Sequence, residues 1–212
     1  MAETRRERQR RELTAEVLEI ARRQLAEGGR AAVSWRGIAR EVGMNPASLY
    51  TYFESLDDLF TALIIDSYGG LAQSLTAAGE EAGVDPTERL AAYSRAYLRW
   101  AEAHPGRFNL IWTDQLPGYA APPGGPTVDA EIAVIAPLVE AVGSVLEQPA
   151  TVDALGEVPQ ELLDGYLAVW GTLHGLVSLL INSHLPVVED RERLVVGQVL
   201  RAVEALRDLP TT

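Results

Sequence analysis

The chain has 212 residues, 47% of them hydrophobic and 23% charged, with no cysteine and a formal net charge of −12. That length holds one large domain, or a small one joined to a medium one. The absence of cysteine excludes disulfides and thiolate metal sites, a charged N-terminus without an apolar run excludes a secretory signal, and the acidic total argues against a polyanion as partner for the whole surface.

The elements read as helices from end to end, with no alternating strand pattern. A first helix is predicted over Glu7–Glu27, with Leu13, Val17, Ile20, Ala21 and Leu25 on one face, closed by Gly28-Gly29. Ser34 caps a short second helix that runs through Glu41 and turns Ile38 and Val42 inward. Gly43 is a turn. Asn45 caps a third short helix with Pro46 at its first position, where the missing N–H costs nothing. Ser55 and Asp58 form a capping box for a long fourth helix from Leu56 to about Ala78. Gly79–Asp85 reads as a boundary loop. Pro86–Ala103 is amphipathic, His104-Pro105-Gly106 breaks it, and Arg107–Asp114 resumes. Pro117–Pro126 is a turn-rich flexible loop, and helices follow over 127–147, 159–183 and 189–207. The fold class is all-α with about nine helices, divided into a head over 1–55 and a body over 56–212. The longest apolar region, Tyr166–Ile181, is too short to span a bilayer and carries Trp170, His174 and two glycines. No membrane partner is expected, and the compartment read is cytoplasmic.

Charge separates head from body. All 18 basic residues are arginine, and ten of them lie in residues 1–53 against seven acids, a balance of +3. The other 159 residues hold eight arginines and 23 acids, a balance of −15. A basic head on an acidic body suits a partner polyanion that meets the head alone.

Two short helices joined by a glycine turn, after a longer one, form a unit of the helix-turn-helix type. Its mechanics explain the stretch Asn45–Ser55, "NPASLYTYFES". Leu49 and Phe53 face inward, four apart, which turns Tyr50, Thr51 and Tyr52 outward. With Ser48 these supply four hydroxyls, and hydroxyls together with helix-start N–H groups are what grips DNA phosphates. Ser34-Trp35-Arg36-Gly37-Ile38-Ala39-Arg40-Glu41-Val42-Gly43-Met44-Asn45-Pro46-Ala47-Ser48-Leu49-Tyr50-Thr51-Tyr52-Phe53, continued by Asp57-Asp58-Leu59-Phe60, resembles the DNA-binding signature of the TetR family of bacterial transcriptional regulators. The likeness covers about residues 10–62. It implies a homodimeric repressor, paired through its last two helices, that binds double-stranded operator DNA and is released by a small-molecule effector, with no catalysis and no cofactor. By position it implies DNA contacts at Ser34, Arg36, Asn45, Pro46, Ala47, Ser48, Tyr50, Thr51 and Tyr52. Arg36 falls where an arginine reaches guanine, the commonest specific pairing. Trp35 is expected to pack. The family's lysine at the start of the fourth helix is replaced by Leu56. Either that phosphate contact is lost or the arginines of the N-terminal arm, Arg5, Arg6, Arg8, Arg10 and Arg11, compensate. The alternative for the arm is a solvated, partly disordered tail.

In the body, Tyr93, Tyr97, Trp100, Phe108 and Trp112 recur at helical spacing. Singly each reads as core, and as a set they suit an apolar effector pocket. Trp170-Gly171-Thr172-Leu173-His174-Gly175 resembles a C-terminal domain type of part of the same family, which places Trp170 and His174 at the dimer interface and beside the pocket. His174 reads as a hydrogen-bonded core residue, an effector contact or, least of all, a metal ligand. The histidines are too dispersed for a metal site. Leu163, Leu167, Val177, Ile181, Val196, Val199, Leu200, Val203 and Leu206 suit a four-helix dimer seam. The fourth helix, joining head to body, is the expected lever between bound and released states. Two other readings stay open: a helical interaction protein that has lost DNA binding, with Leu56 as its motive, and a regulator that activates or ignores ligands. An enzyme is disfavoured, because the chain has no nucleotide-binding glycine fingerprint, phosphate loop or nucleophile elbow.

Overall fold

A computed structural model describes residues 4–113, 125–148, 151 and 160–207. The described residues form nine α-helices and one short 3-10 turn, with no strand among them. The order is α1 (Arg5–Gly28), the 3-10 turn (Arg30–Ala32), α2 (Trp35–Val42), α3 (Pro46–Leu49), α4 (Leu56–Glu81), α5 (Pro86–Ala103), α6 (Pro105–Trp112), α7 (Pro126–Val145), α8 (Gln160–Ile181) and α9 (Arg191–Arg207). They sort into two compact units. The first is Met1–Ser67 with His104–Thr127, and the second is Tyr68–Ala103 with Val128–Thr212. A linear division at 55/56 does not make this grouping, because α6 returns to the first unit after α5 has left it.

In the first unit, α1 starts two residues earlier than its apolar stripe requires. Thr4 Oγ1 accepts the Glu7 N–H, and the Glu7 carboxylate accepts the Thr4 N–H at 2.7 Å, a reciprocal capping box. Those bonds to Thr4 hold the exposed Glu7 carboxyl below its usual range. The reading of the arm as a disordered tail is therefore overturned: Arg5, Arg6, Arg8, Arg10 and Arg11 are the first turns of α1 and are exposed there. Val17, Ile20, Ala21 and Leu25 form the buried face. Gly29, at φ +64°, takes the chain out of α1.

Ser34 caps α2 as expected, its Oγ accepting the Gly37 N–H at 3.1 Å. At the other end Gly43 stands at φ +75°. Its N–H reaches Arg40 O while Met44 N–H reaches Ala39 O, the paired bonds of a Schellman turn. A side chain other than glycine is strained in that conformation. Asn45 Oδ1 accepts the Ala47 N–H at 2.9 Å and Pro46 opens α3. The α-helical part of α3 is only four residues. Residues 50–52 continue as tighter turns, with Thr51 N–H on Ser48 O and Tyr52 N–H on Leu49 O. Ser55 Oγ accepts the Asp58 N–H at 3.1 Å and starts α4.

The second unit corrects one boundary. α4 runs through Gly79 to Glu81 instead of ending at Ala78. Gly79 is buried, and a Cβ there would sit 2.4 Å from the Tyr93 hydroxyl. This glycine makes room for a helix-to-helix contact, and the turn belongs to Gly83, at φ +76°. Next, α8 packs on α9 and α5, and α9 also packs on α5. Arg99–Glu192 and Arg191–Glu102 pair α5 with α9 at the surface. Gly165 brings α8 close to α9, since a Cβ there would meet Leu206 at 2.8 Å. Val177, Val199 and Val203 are buried inside this arrangement, so they serve the core of one chain. The apolar run in α8 is longer than read, Leu163–Ile181, nineteen residues of mean hydropathy 1.2, with a third of them buried within the chain. By length and composition alone it could cross a bilayer, but a single such helix packed on two neighbours is the pattern of a core helix. Most of the expected loop Pro117–Pro126 lies outside the described residues.

Candidate nucleic-acid interface and apolar cavity

The head presents its polar residues around two buried anchors. Leu49 is 0% and Phe53 8% exposed, so the α3 segment is pinned from beneath. Around them Ser34, Arg36, Asn45, Pro46, Ala47 and Thr51 are exposed, Ser48 and Tyr52 are half-buried, and Tyr50 is 57% exposed. Trp35 is half-buried and packs on the Tyr50 ring, centroids 5.2 Å apart. That contact steadies Tyr50 and joins the first residue of α2 to the end of α3. Arg10 of α1, Tyr50, Thr51, Tyr52, Glu54 and Asp58 line one shallow polar depression. Arg10 is thus the arm residue the structure brings to the tyrosines. Leu56, the first residue of α4, is 36% exposed.

Sequence reading missed the residue that orients α2. Gln24 of α1 is 7% exposed. Its Oε1 accepts the Ser34 N–H at 3.1 Å, and its Nε2 donates to Glu41 Oε1 at 2.8 Å. One buried amide therefore holds both ends of an eight-residue helix. Arg23 pairs with the same Glu41. A Cβ on Gly37 would lie 2.6 Å from Ser34 Oγ and 3.1 Å from Gln24 Nε2, so the glycine is needed for the amide to fit. A signal was present in the sequence: Gln24 sits seven residues after Val17, on the apolar stripe, where a polar residue needs a partner.

In the second unit, Tyr97, Trp170 and His174 come together. Tyr97 is fully buried, and its hydroxyl lies 3.0 Å from His174 Nδ1. His174 Nε2 lies 3.4 Å from Ser178 Oγ. A neutral imidazole donates through one nitrogen and accepts through the other, so either tautomer serves both hydroxyls. Trp170 stacks on the imidazole, planes 13° apart and centroids at 5.4 Å, and meets Tyr97 edge-on at 5.7 Å. Burial, with Tyr68 nearby, raises the Tyr97 pKa well above that of an ordinary phenol. Burial lowers that of His174. Trp170 is shared with a small apolar cavity between α5, α7 and α8, about 30 Å³, lined by Leu90, Leu138, Val142, Tyr166, Val169 and Leu173 among others. Of the other aromatics, Tyr93 is buried under Gly79 with its hydroxyl on Arg89, and Trp100 is buried in α5. Phe108, buried, and Trp112, half-buried, lie on α6 in the first unit. Among the described residues no group of three or more metal-ligating side chains converges.

A capped helix-turn-helix with exposed hydroxyls and an arginine, carried by a chain otherwise built of packed helices, defines a DNA-reading transcriptional regulator. Comparison with known proteins agrees. Residues 17–63 match the bacterial regulatory proteins of the tetR family, and residues 90–202 match the tetracyclin repressor-like C-terminal domain. The chain belongs to the TetR family of transcriptional regulators. It is 37% identical over 115 residues to the HTH-type transcriptional regulators Rv1816 of Mycobacterium tuberculosis and Mb1846 of Mycobacterium bovis, a match covering 54% of this chain and 49% of each relative. The chain thus spans about half the length of the curated relatives it matches. Among solved structures, the putative regulatory protein SCO4313 superposes with a TM-score of 0.74 at 30% identity, over 95% of this chain and all of that one. A protein of unknown function from Rhodococcus sp. RHA1 superposes with 0.73 at 26% identity, over 92% and 96%.

Gln24→Leu keeps the volume but strips the Ser34 N–H and the Glu41 carboxylate of a partner. A loss of about 0.5–1.5 kcal/mol per hydrogen bond removed is expected in urea denaturation, since both partners reach solvent and Glu41 keeps Arg23. For His174, an unfolded chain protonates its ring near pH 6.5, while the folded ring, its pKa lowered by burial, stays neutral to lower pH. Between the two values the unfolded state binds more protons, so stability falls as pH falls through that window. Thermal melts from pH 7.5 to 5.5 should show this decline. His174→Gln should flatten it relative to the parent, with the contribution of His104, also lowered by burial and by Arg107, common to both.

Proposed function

We propose that this chain is a homodimeric repressor that reads double-stranded operator DNA with α2 and α3 and leaves it when a small molecule enters the second unit. The observation that carries the reading is the head itself: Arg36, Asn45, Pro46, Ala47, Tyr50 and Thr51 all exposed on one capped, anchored unit. Arg36 reads bases, and Ser34, Ser48, Tyr50, Thr51 and Tyr52 position the head on phosphates. Arg10, beside the tyrosines, supplies the phosphate charge that Leu56 does not. The role is regulatory and not catalytic, exercised in the cytoplasm where the DNA is.

Dimerisation through α8 is supported by its outer face. Leu167 and Leu179 are 56% and 42% exposed, and between them Gly171 and Gly175 have open space where a Cβ would stand. A second helix can approach closely over such a face. Two-fold pairing also matches two half-sites on DNA. The effector is a neutral, mostly hydrocarbon molecule, because the cavity lining named above offers no charge to offset a buried ion. A cavity of about 30 Å³ holds little more than a water or two, so an effector that enters here parts α7 from α5 and α8. Pro137 inside α7 lacks a donor and weakens that helix at this place.

The test is a salt titration of the purified protein on its own upstream intergenic DNA beside a random duplex. Tight, salt-sensitive and selective binding is expected. No selectivity on any duplex recovered from a random library would favour the interaction protein that has lost DNA binding. Arg36→Ala should cost about 1–3 kcal/mol on the specific duplex with little change on random DNA. Equal loss on both would reassign Arg36 to phosphate. Light scattering should return twice the 23.0 kDa of one chain, and Gly171→Leu should lower that mass if α8 is the seam.

A further inference from the structure

The first turns of α1 stand clear of the head they begin. Arg5–Glu12 are all exposed, and the first buried residue of the helix is Val17. Those eight exposed residues amount to about 12 Å of helix. Short helices without packing are marginal in water. This one is held by continuity with the packed part of α1 and by the Thr4–Glu7 capping box. Arg5–Arg11 hold five arginines against one acid, Glu7. Cations in the first turns of a helix work against its dipole, so this placement costs the free protein stability. A patch of that charge, kept at a cost and away from the core, suits a polyanion.

The course of α1 says where that polyanion lies. Near its last turns α1 meets α2, where Gln24 holds Ser34 and Glu41. Toward its start, Arg10 lines the depression shared with Tyr50, Thr51 and Tyr52. The helix continues in the same direction, so Arg5–Gln9 run on past the end of α3. Arg6 precedes Arg10 by four residues, which puts both on one side of α1 with Arg6 about 6 Å farther out. Helical side chains lean toward the helix start, which carries the Arg6 guanidinium farther still. Arg8 lies two residues from each and stands on the opposite side.

We infer that Arg6 grips a DNA phosphate beyond the base pairs read by α2 and α3, so the operator of this protein is longer than its reading helices cover. This rests on the DNA-reading role and adds a contact to it. The contact is to the backbone, so the added base pairs are held without being read. Arg10 and Arg6 then follow the strand in turn, Arg10 beside the tyrosines and Arg6 past them.

The probe is the specific duplex recovered from the random library, with its phosphates ethylated one at a time. In the full-length parent, ethylation should block binding at a phosphate outside the base pairs that selection fixes. Arg6→Gln should erase that signal and keep the others. It should also lower the slope of log affinity against log salt by about 0.9 per head, the share of one phosphate contact. Arg6→Lys keeps the charge and should restore the slope. Arg8→Gln removes the same charge from the opposite side and should leave map and slope as in the parent. Arg6 is exposed and opposes the helix dipole, so Arg6→Gln should melt no lower than the parent. An Arg6→Gln map identical to the parent's overturns the inference. Equal losses of slope in Arg6→Gln and Arg8→Gln overturn it too, because the effect would then be one of general charge. A parent that selects a duplex but shows no interference outside the selected base pairs sinks this contact alone. A parent that selects no duplex sinks the repressor reading itself, and the contact with it.

Discussion

Helices of eight and four residues do not persist on their own in water, because nucleation fixes several residues before any hydrogen bond repays them. Everything the head presents to DNA therefore depends on groups outside α2 and α3 that hold them. The Gln24 amide does most of this from α1. It takes the N–H at the cap of α2 and gives a hydrogen bond to Glu41 near the other end. Leu49 and Phe53 pin the next segment, and Trp35 against Tyr50 closes the pair. A reading surface of flexible polar side chains thus rests on buried parts that have almost no freedom.

The glycines show the same economy of space in three ways. Gly43 serves conformation, since φ +75° is needed to reverse the chain between α2 and α3. Gly37, Gly79 and Gly106 serve close approach, each against a named neighbour: the Ser34 hydroxyl, the Tyr93 ring and the Leu25 carbonyl. Gly171 and Gly175 serve neither within one chain, because nothing stands where their side chains would be. Glycine in mid-helix costs about 1 kcal/mol relative to alanine. Two of them on one open face of α8 therefore ask for a partner, which the repressor reading supplies as a second copy.

The second unit has the opposite character from the head. Its centre is a polar triad, buried Tyr97 with half-buried His174 and Ser178, with Trp170 laid across the imidazole. Burial favours the neutral form of each titratable member. A satisfied, neutral group of this kind specifies how α5 and α8 meet without demanding a counter-ion.

Local chemistry was legible before any coordinates. The caps at Ser34 and Asn45, the turn at Gly43, the inward Leu49 and Phe53 and the outward Tyr50 all follow from spacing and residue type, which act over one or two turns of chain. The family signature lies in that same stretch for the same reason. Where reading from sequence went astray, the decisive neighbour was distant. Gly79 looked like a loop because Tyr93 could not be seen above it. Val177, Val199 and Val203 looked like a dimer seam because their mutual burial in α8 and α9 is not written in either helix. Gln24 with Ser34, and Asp66 with Arg107, are ten and forty-one residues apart. What the sequence determined by itself was the set of helices, the caps at Ser34, Asn45 and Ser55 and which polar residues the head exposes, since those depend on hydrogen bonds a few residues long. Only the tertiary structure decided which helices hold one another and through which buried side chains, because such pairs are chosen by distance in space, and spacing along the chain does not encode it.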